Sequence, residues 1–125
     1  GRVRVAFAEY EASAEQSTVT MFTIPNGARV LSGSVSYDAL GTSTTIAVGH
    51  GAYTDSSGAT VALDVDEYKA AAASTSAETV VSADTMALGR NSVVDADGDG
   101  IPVTVTLAGA NGTGTIQLQM LYVKD

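Results

Sequence analysis

Cysteine is absent from this 125-residue chain. That excludes disulfide staples, thiolate nucleophiles and cysteine metal sites in one step. It leaves the redox compartment open, because a chain without thiols persists in reducing or oxidising surroundings. Tryptophan is absent too, and aromatics make up only 6% of the residues, which is thin for a stacked-ring sugar platform. The single histidine, His50, cannot build the usual zinc sites without cysteine or further histidines. Basic residues are scarce: six Lys and Arg against fourteen Asp and Glu give a formal net charge of −8. Such a chain repels phosphate backbones, so nucleic acid is not an expected partner. No apolar run approaches the length of a membrane span, and no membrane partner is expected. The opening "GRVRVAFAEYE" has two arginines but lacks the apolar core of a secretory signal. A first residue other than Met leads to the expectation of a removed initiator or a trimmed precursor.

What the chain does have is Gly, Ser, Thr and Val, which suit strands and turns better than helices. Period-two alternation recurs along it. "RVRVAFA" sets Val3, Val5 and Phe7 on one face and Arg2 and Arg4 on the other. "TVTMFTI" offers Val19, Met21 or Phe22, and Ile24. "IPVTVTLAG" alternates through Ile101, Val103, Val105 and Leu107, with Thr104 and Thr106 opposite. "TIQLQMLYV" alternates through Ile116, Leu118, Met120 and Tyr122. Those last two runs, joined by "ANGTG", read as an antiparallel hairpin closed on Asn-Gly. Pro25-Asn26-Gly27 is a second strong turn signal. One segment, 66–77, resists the strand reading. Asp64 or Asp66 is a candidate N-cap before an Ala-rich stretch, so the segment reads as a short helix or a loop. The fold class expected is all-β: a single-domain, jelly-roll-like β-sandwich of about eight short antiparallel strands with at most one short helix. Residues 1–16 form an N-terminal arm or first strand, and residues 17–125 the sandwich domain.

The chemistry-bearing residues are few. "DADGDGIPV" begins like a calcium loop, with Asp95, Asp97 and Asp99 at alternate positions and Gly100 at the sixth. Its twelfth position is Thr106, which cannot supply the closing bidentate carboxylate, and the residues after Gly100 enter a strand and not a helix. The three carboxylates therefore read as weak calcium ligands or as an acidic turn, and no other cofactor is expected. His50 lies between two glycines in "VGHGAY" with no G-x-S-x-G elbow anywhere, so no catalytic residue is assigned and no enzyme is expected. Asp38 belongs to no paired-carboxylate signature. Tyr37 and Tyr122 fall in phase with core positions and read as packed rings.

The segment "FTIPNGARVLSGSVSYDALGTSTTIAVGHGAY" resembles one common in small structural proteins of tailed bacteriophages. The features that carry the likeness are the turn from Ile24 to Val30, Asp38 to Gly41, and Thr44 to Gly49. The C-terminus is similar as well, through Val103 to Gly109, Gly112 to Ile116, and Leu121 to Val123. The likeness runs from about Ser17 onwards. It implies a virion component, most often a capsid decoration or cement protein on the outside of the head. By the same resemblance such a protein forms a homotrimer at local threefold positions, and its partners are the major capsid protein and copies of itself. Arg2 and Arg4 are the candidate contact residues, acting through charge on an acidic shell. Two other readings stand beside this one. The first is a tail, neck or head-fibre component. The second is a calcium-dependent surface or carbohydrate-binding module with "DADGDG" at its site.

Overall fold

The computed structural model describes residues 2–81 and 93–124. Among these there are eight strands and no helix: β1 (Arg2–Ile24), β2 (Ala28–Tyr37), β3 (Thr45–His50), β4 (Tyr53–Thr54), β5 (Thr60–Val61), β6 (Asp64–Ala73), β7 (Glu78–Val81) and β8 (Ile101–Lys124). The all-β expectation is met, but two of the strands are far from short. β1 has 23 residues and β8 has 24. They pair antiparallel from Arg2 opposite Lys124 to Ile24 opposite Ile101.

The expected C-terminal hairpin is therefore a single strand. A tight Asn-Gly hairpin turn needs positive φ at both residues. Here neither Asn111 nor Gly112 has it; Gly109 (φ 84°) and Gly114 (φ 136°) do. The chain bends at these two glycines and does not reverse. β1 bends beside it, with register shifts between Ala12 and Ser17 and φ 51° at Ala14. Glu15 holds this bend. Its carboxylate accepts hydrogen bonds from the Tyr10 hydroxyl at 2.5 Å, the Ser13 amide at 3.1 Å and the Ser17 hydroxyl at 2.9 Å.

The bend splits one sheet into two halves that share β1 and β8. The C-terminal half of β8 takes β2 on its other edge, and β7 follows β2. The N-terminal half of β8 takes β3, and β6 follows β3. The curl brings both halves onto one core, in which Val35, Leu118 and Met120 meet Ile46, Val48 and Val103, all at most 1% exposed. Side chains of this size contribute about 1.5–3 kcal/mol each on full burial. A bulge between Thr20 and Phe22 explains why both Met21 and Phe22 pack against that core.

Two crossings close the sandwich. Pro25-Asn26-Gly27 carries the chain from β1, beside Ile101, to β2, beside Lys124. At the bend, residues 38–44 run from β2 to β3. There the Asp38 carboxylate accepts the Thr115 amide at 3.0 Å, and the Leu40 carbonyl accepts the Thr113 amide at 3.0 Å. The loop approaches so closely that a Cβ on Gly109 would lie 2.3 Å from the Ser43 carbonyl oxygen.

The Ala-rich segment is a strand over its first part, not a helix or loop. Tyr68 packs against the core, and the buried Lys69 ammonium donates to the Ile46 and Ala70 carbonyls at 3.4 and 3.2 Å. Pairing with β3 outweighs the helical preference of alanine, because a helix here would leave the β3 edge unpaired.

The bend predicts a graded glycine series. Gly109→Ala meets both a left-handed backbone and the Ser43 carbonyl, and is expected to cost about 2–4 kcal/mol. Gly58→Ala has a comparable φ of 90° but nothing within 4 Å, and is expected to cost about 1 kcal/mol. Urea denaturation midpoints test this; equal losses at the two sites would mean the crossing loop does not clamp the bend.

Candidate functional site

The acidic loop is tied to the closing turn of the sandwich. Val94 donates to the Ala28 carbonyl at 2.8 Å, and Gly27 donates to the Val94 carbonyl at 3.0 Å. The Asn26 side-chain oxygen accepts the Ala96 amide at 3.1 Å, which fixes the fully buried Ala96. Two of the three aspartates brace the loop through their side chains. The Asp95 carboxylate accepts both the amide and the hydroxyl of Ser56. The Asp97 carboxylate accepts the Asp99 amide at 2.9 Å, closing an Asx turn. Gly100 follows with φ 74°, and a Cβ there would lie 2.4 Å from the Ile24 carbonyl oxygen. The glycine that resembled a calcium-loop signature is demanded by this contact. Among the described residues, no group of three or more acidic or histidine side chains has metal-holding geometry. Millimolar calcium is expected to move the thermal midpoint by less than about 1 °C, since a site without converging ligands contributes little linkage stabilisation. A rise of several degrees on adding calcium would show that the three aspartates do gather around an ion.

His50 ends β3 on the core face, 8% exposed. Its Nδ1 lies 2.8 Å from the Gly51 carbonyl. Its ring meets Tyr53 and Tyr68 edge-on, at 5.3 and 6.3 Å between centroids. Burial pushes the Tyr68 hydroxyl up to about 12, so it stays protonated at any ordinary pH. Beside the histidine, the first residues of β6 bring three carboxyl groups together. Hydrogen bonds from Asp66 and then Glu67 hold Asp64 below the usual carboxylate range. Sharing with Asp64 raises Asp66. Burial first, and then the bond to Asp64, raises Glu67.

The raised pair has a definite sign. A carboxyl whose pKa is higher folded than unfolded adds stability below its unfolded pKa, and that stability is lost as pH rises through the folded value. Glu67→Gln keeps a hydrogen-bond donor and removes the charge. It is expected to raise the melting temperature by on the order of 1–2 °C at pH 7. The gain should disappear near the ordinary glutamate value of 4.5. An unchanged difference across that pH range would rule out the shared proton.

A groove of about 470 Å³ lies at the end of β2 and the start of β7, lined among others by Ser36, Tyr37, Asp38, Glu78, Thr79 and Gln117. Tyr37 is packed as expected, and its hydroxyl donates to Glu78 at 3.2 Å.

The N-terminal strand holds the features that alternation alone left unresolved. The face carrying Val3, Val5 and Phe7 points outward, and these residues are 56%, 60% and 56% exposed. The opposite phase, through Ala6, Tyr10 and Ala12, packs on the core. Arg2 and Arg4 share that inner phase but sit past the end of the core and remain exposed. The topology gathers further basic residues around them: Arg2 is the strand partner of Lys124, and Arg29 lies opposite Val123. Four of the chain's six basic residues thus meet at one corner. Sequence order hides this, because the four come from the starts of β1 and β2 and the end of β8.

No protein-family model matches the chain, and no curated protein matches it in sequence. Solved structures do match its fold from end to end. A chain from the capsid of Ralstonia phage GP4 superposes with a TM-score of 0.72 at 20% identity, covering 100% of this chain and 86% of that one. A chain from the capsid asymmetric unit of cyanophage Pam1 gives a TM-score of 0.66 at 18% identity, covering 100% and 86%. A chain from the acidic stable capsid structure of the Helicobacter pylori bacteriophage KHP30 gives 0.57 at 18% identity, covering 98% and 87%. What is shared is the fold of phage capsid chains. At that level, the likeness to phage virion structural proteins read from the sequence is met.

Proposed function

We propose that this chain is a structural protein of a phage virion and, within it, a decoration or cement protein on the capsid exterior. The observation that carries the reading is the end-to-end correspondence with chains from three phage capsids. The matched chains are themselves small, since 98–100% of this 125-residue chain covers 86–87% of each. A self-contained core in so short a chain suits a subunit that adds to a shell built by a larger protein. The described surface supports the same reading. Asp55, Asp97 and Glu15 brace turns and a strand bend, and its one histidine is packed between tyrosines.

The mechanism is mass action. A subunit that binds the assembled, expanded shell and not its free components stabilises the shell by an amount that grows with the logarithm of its free concentration relative to Kd. The major capsid protein is then one partner, and copies of the chain itself are the other. Heads assembled without the protein test this. Purified chain is expected to co-sediment with them saturably, to ignore unassembled capsid protein, and to raise the temperature of genome release by several degrees. Absence of binding to such heads, or a label on the intact particle found at the tail or neck, would overturn the decoration reading.

A further inference from the structure

Three cations converge where β1 begins and β8 ends. Arg2 is the strand partner of Lys124, and Arg4 is the partner of Tyr122. Directly opposite residues of an antiparallel pair share a face, as do residues two apart on one strand. Arg2, Arg4 and Lys124 therefore project from the same face. On β8, Tyr122 is the last side chain of that face to pack on the core, and all three cations are exposed. Like charges set opposite each other across a ladder destabilise it. Among the described residues, none of the three side chains has a hydrogen-bond or ion-pair partner. Lys124 has Ala28 on its other side. Glu9 and Glu11 project from the opposite face of β1, where they bond Gln117 and Thr115. A local rule broken with no compensating contact inside the fold is expected at a functional site.

We propose that Arg2, Arg4 and Lys124 form a carboxylate-binding site for an extended acidic segment of a partner protein, which under the proposed function belongs to the capsid shell. The ownership of the segment rests on that function; the site itself does not. Spacing sets the form of the ligand. Arg2 and Arg4 lie about 7 Å apart along the strand, which is also the separation of alternate residues in any extended chain. Two carboxylates at alternate positions of such a segment thus each meet one guanidinium, whose planar fork binds a carboxylate through two parallel hydrogen bonds. Lys124 sits about 5 Å from Arg2 across the ladder and adds a point charge there. Charge balance sets the class of partner. The molecule carries a net charge of −8, so a phosphate polymer or an anionic membrane is repelled by everything around the corner. A second copy brings the same −8 and is disfavoured for the same reason. A short acidic segment meets the corner alone. Lys124 and the shared face are what the topology adds to the two arginines.

The probe is a capped peptide of four Glu-Ser repeats, titrated into the full chain and followed by amide chemical shifts. It is expected to bind saturably and to shift the amides around Arg2, Arg4 and Lys124. Arg2→Gln, Arg4→Gln and Lys124→Gln are each expected to weaken binding by roughly 2–5-fold, as loss of one exposed ion pair does, and all three together by ~10-fold or more. Arg2→Lys keeps the charge and loses the fork, and should fall between wild type and Arg2→Gln. A peptide of the same composition with its glutamates in adjacent pairs is expected to bind less tightly. Because the three cations repel one another, Lys124→Gln should leave the thermal midpoint unchanged or raise it, so a lost signal is not a lost fold. No shifts at the corner, equal binding by the triple variant, or tighter binding of single-stranded DNA of equal charge would overturn the site. Undecorated heads separate this site from the decoration reading. The triple variant is expected to bind them ~10-fold or more weaker than wild type. Equal binding of both would overturn the proposal and leave the decoration reading standing. A wild-type chain that binds the peptide but no heads would support the site and remove only the decoration reading. Self-association that the triple variant abolishes would give the site to a second copy and overturn the proposal.

Discussion

The pairing of β1 with β8 is the constraint from which the rest of the structure follows. Two strands of 23 and 24 residues run antiparallel over their whole length. Strands this long do not stay flat, because each twists in a fixed hand and exposes an apolar face that must be covered. This pair covers its own face by bending in the middle. Gly109 and Gly114 bend one strand, while Ala14 and the Glu15 carboxylate bend the other. Every other strand of the main sheet attaches to one half or the other of β8. β2 and β3 dock on it directly, and β7 and β6 dock on them. The core is then the inside of a fold in one sheet and not a seam between two independent ones.

Seen this way, two separated stretches of sequence are a single device. "DALGTST" at residues 38–44 and "GANGTGT" at residues 109–115 meet at the bend. One is the loop that crosses from half to half, and the other is the strand segment it crosses over. The glycines in the second stretch accommodate carbonyls and side chains of the first, with Leu40 and Leu107 crowding Gly112. The Thr44 hydroxyl closes the loop by donating to the Gly41 carbonyl at 2.8 Å and by accepting from the Ser74 hydroxyl at 2.9 Å. The turn at Pro25-Asn26-Gly27 and the acidic loop form the corresponding closure at the opposite end. Both ends of the sandwich are therefore sealed by polar backbone contacts, which leaves the apolar middle to set the stability.

The alternation of Ile101 to Leu107 and of Ile116 to Tyr122 was fully legible in the sequence, and it places the core correctly. What it does not carry is whether two alternating runs are joined by a reversal or a bend. Asn-Gly permits a tight turn, but β1 stays paired with β8 across it, through Ala12 with Gly114, Glu15 with Gly112 and Ser17 with Leu107, with register shifts between them. That pairing is non-local, so no window of the sequence contains it. The alanines of β6 were misleading for the same reason, since alanine prefers a helix only when no neighbouring edge needs a strand. The orientation of β1 was more accessible. Glu9 and Glu11 continue the phase of Val3, Val5 and Phe7, and unpaired carboxylates do not point into a core. Extending the alternation four residues further turns that apolar face outward. The aspartates of the acidic loop show the limit of a spacing argument. Alternate carboxylates followed by glycine suit an Asx turn as well as an ion, and only the partners of each oxygen tell the two apart.

The charge arrangement connects this architecture to assembly. An acidic molecule with one basic corner is dipolar, so copies approach each other in a restricted set of orientations. The long β1–β8 pair places that corner at the end of a strand edge that no described strand covers, next to an exposed apolar face. The bend that buries the core and the edge left unpaired among the described residues thus have one origin, because the strand too long to stay flat is the one whose outer side no described strand covers.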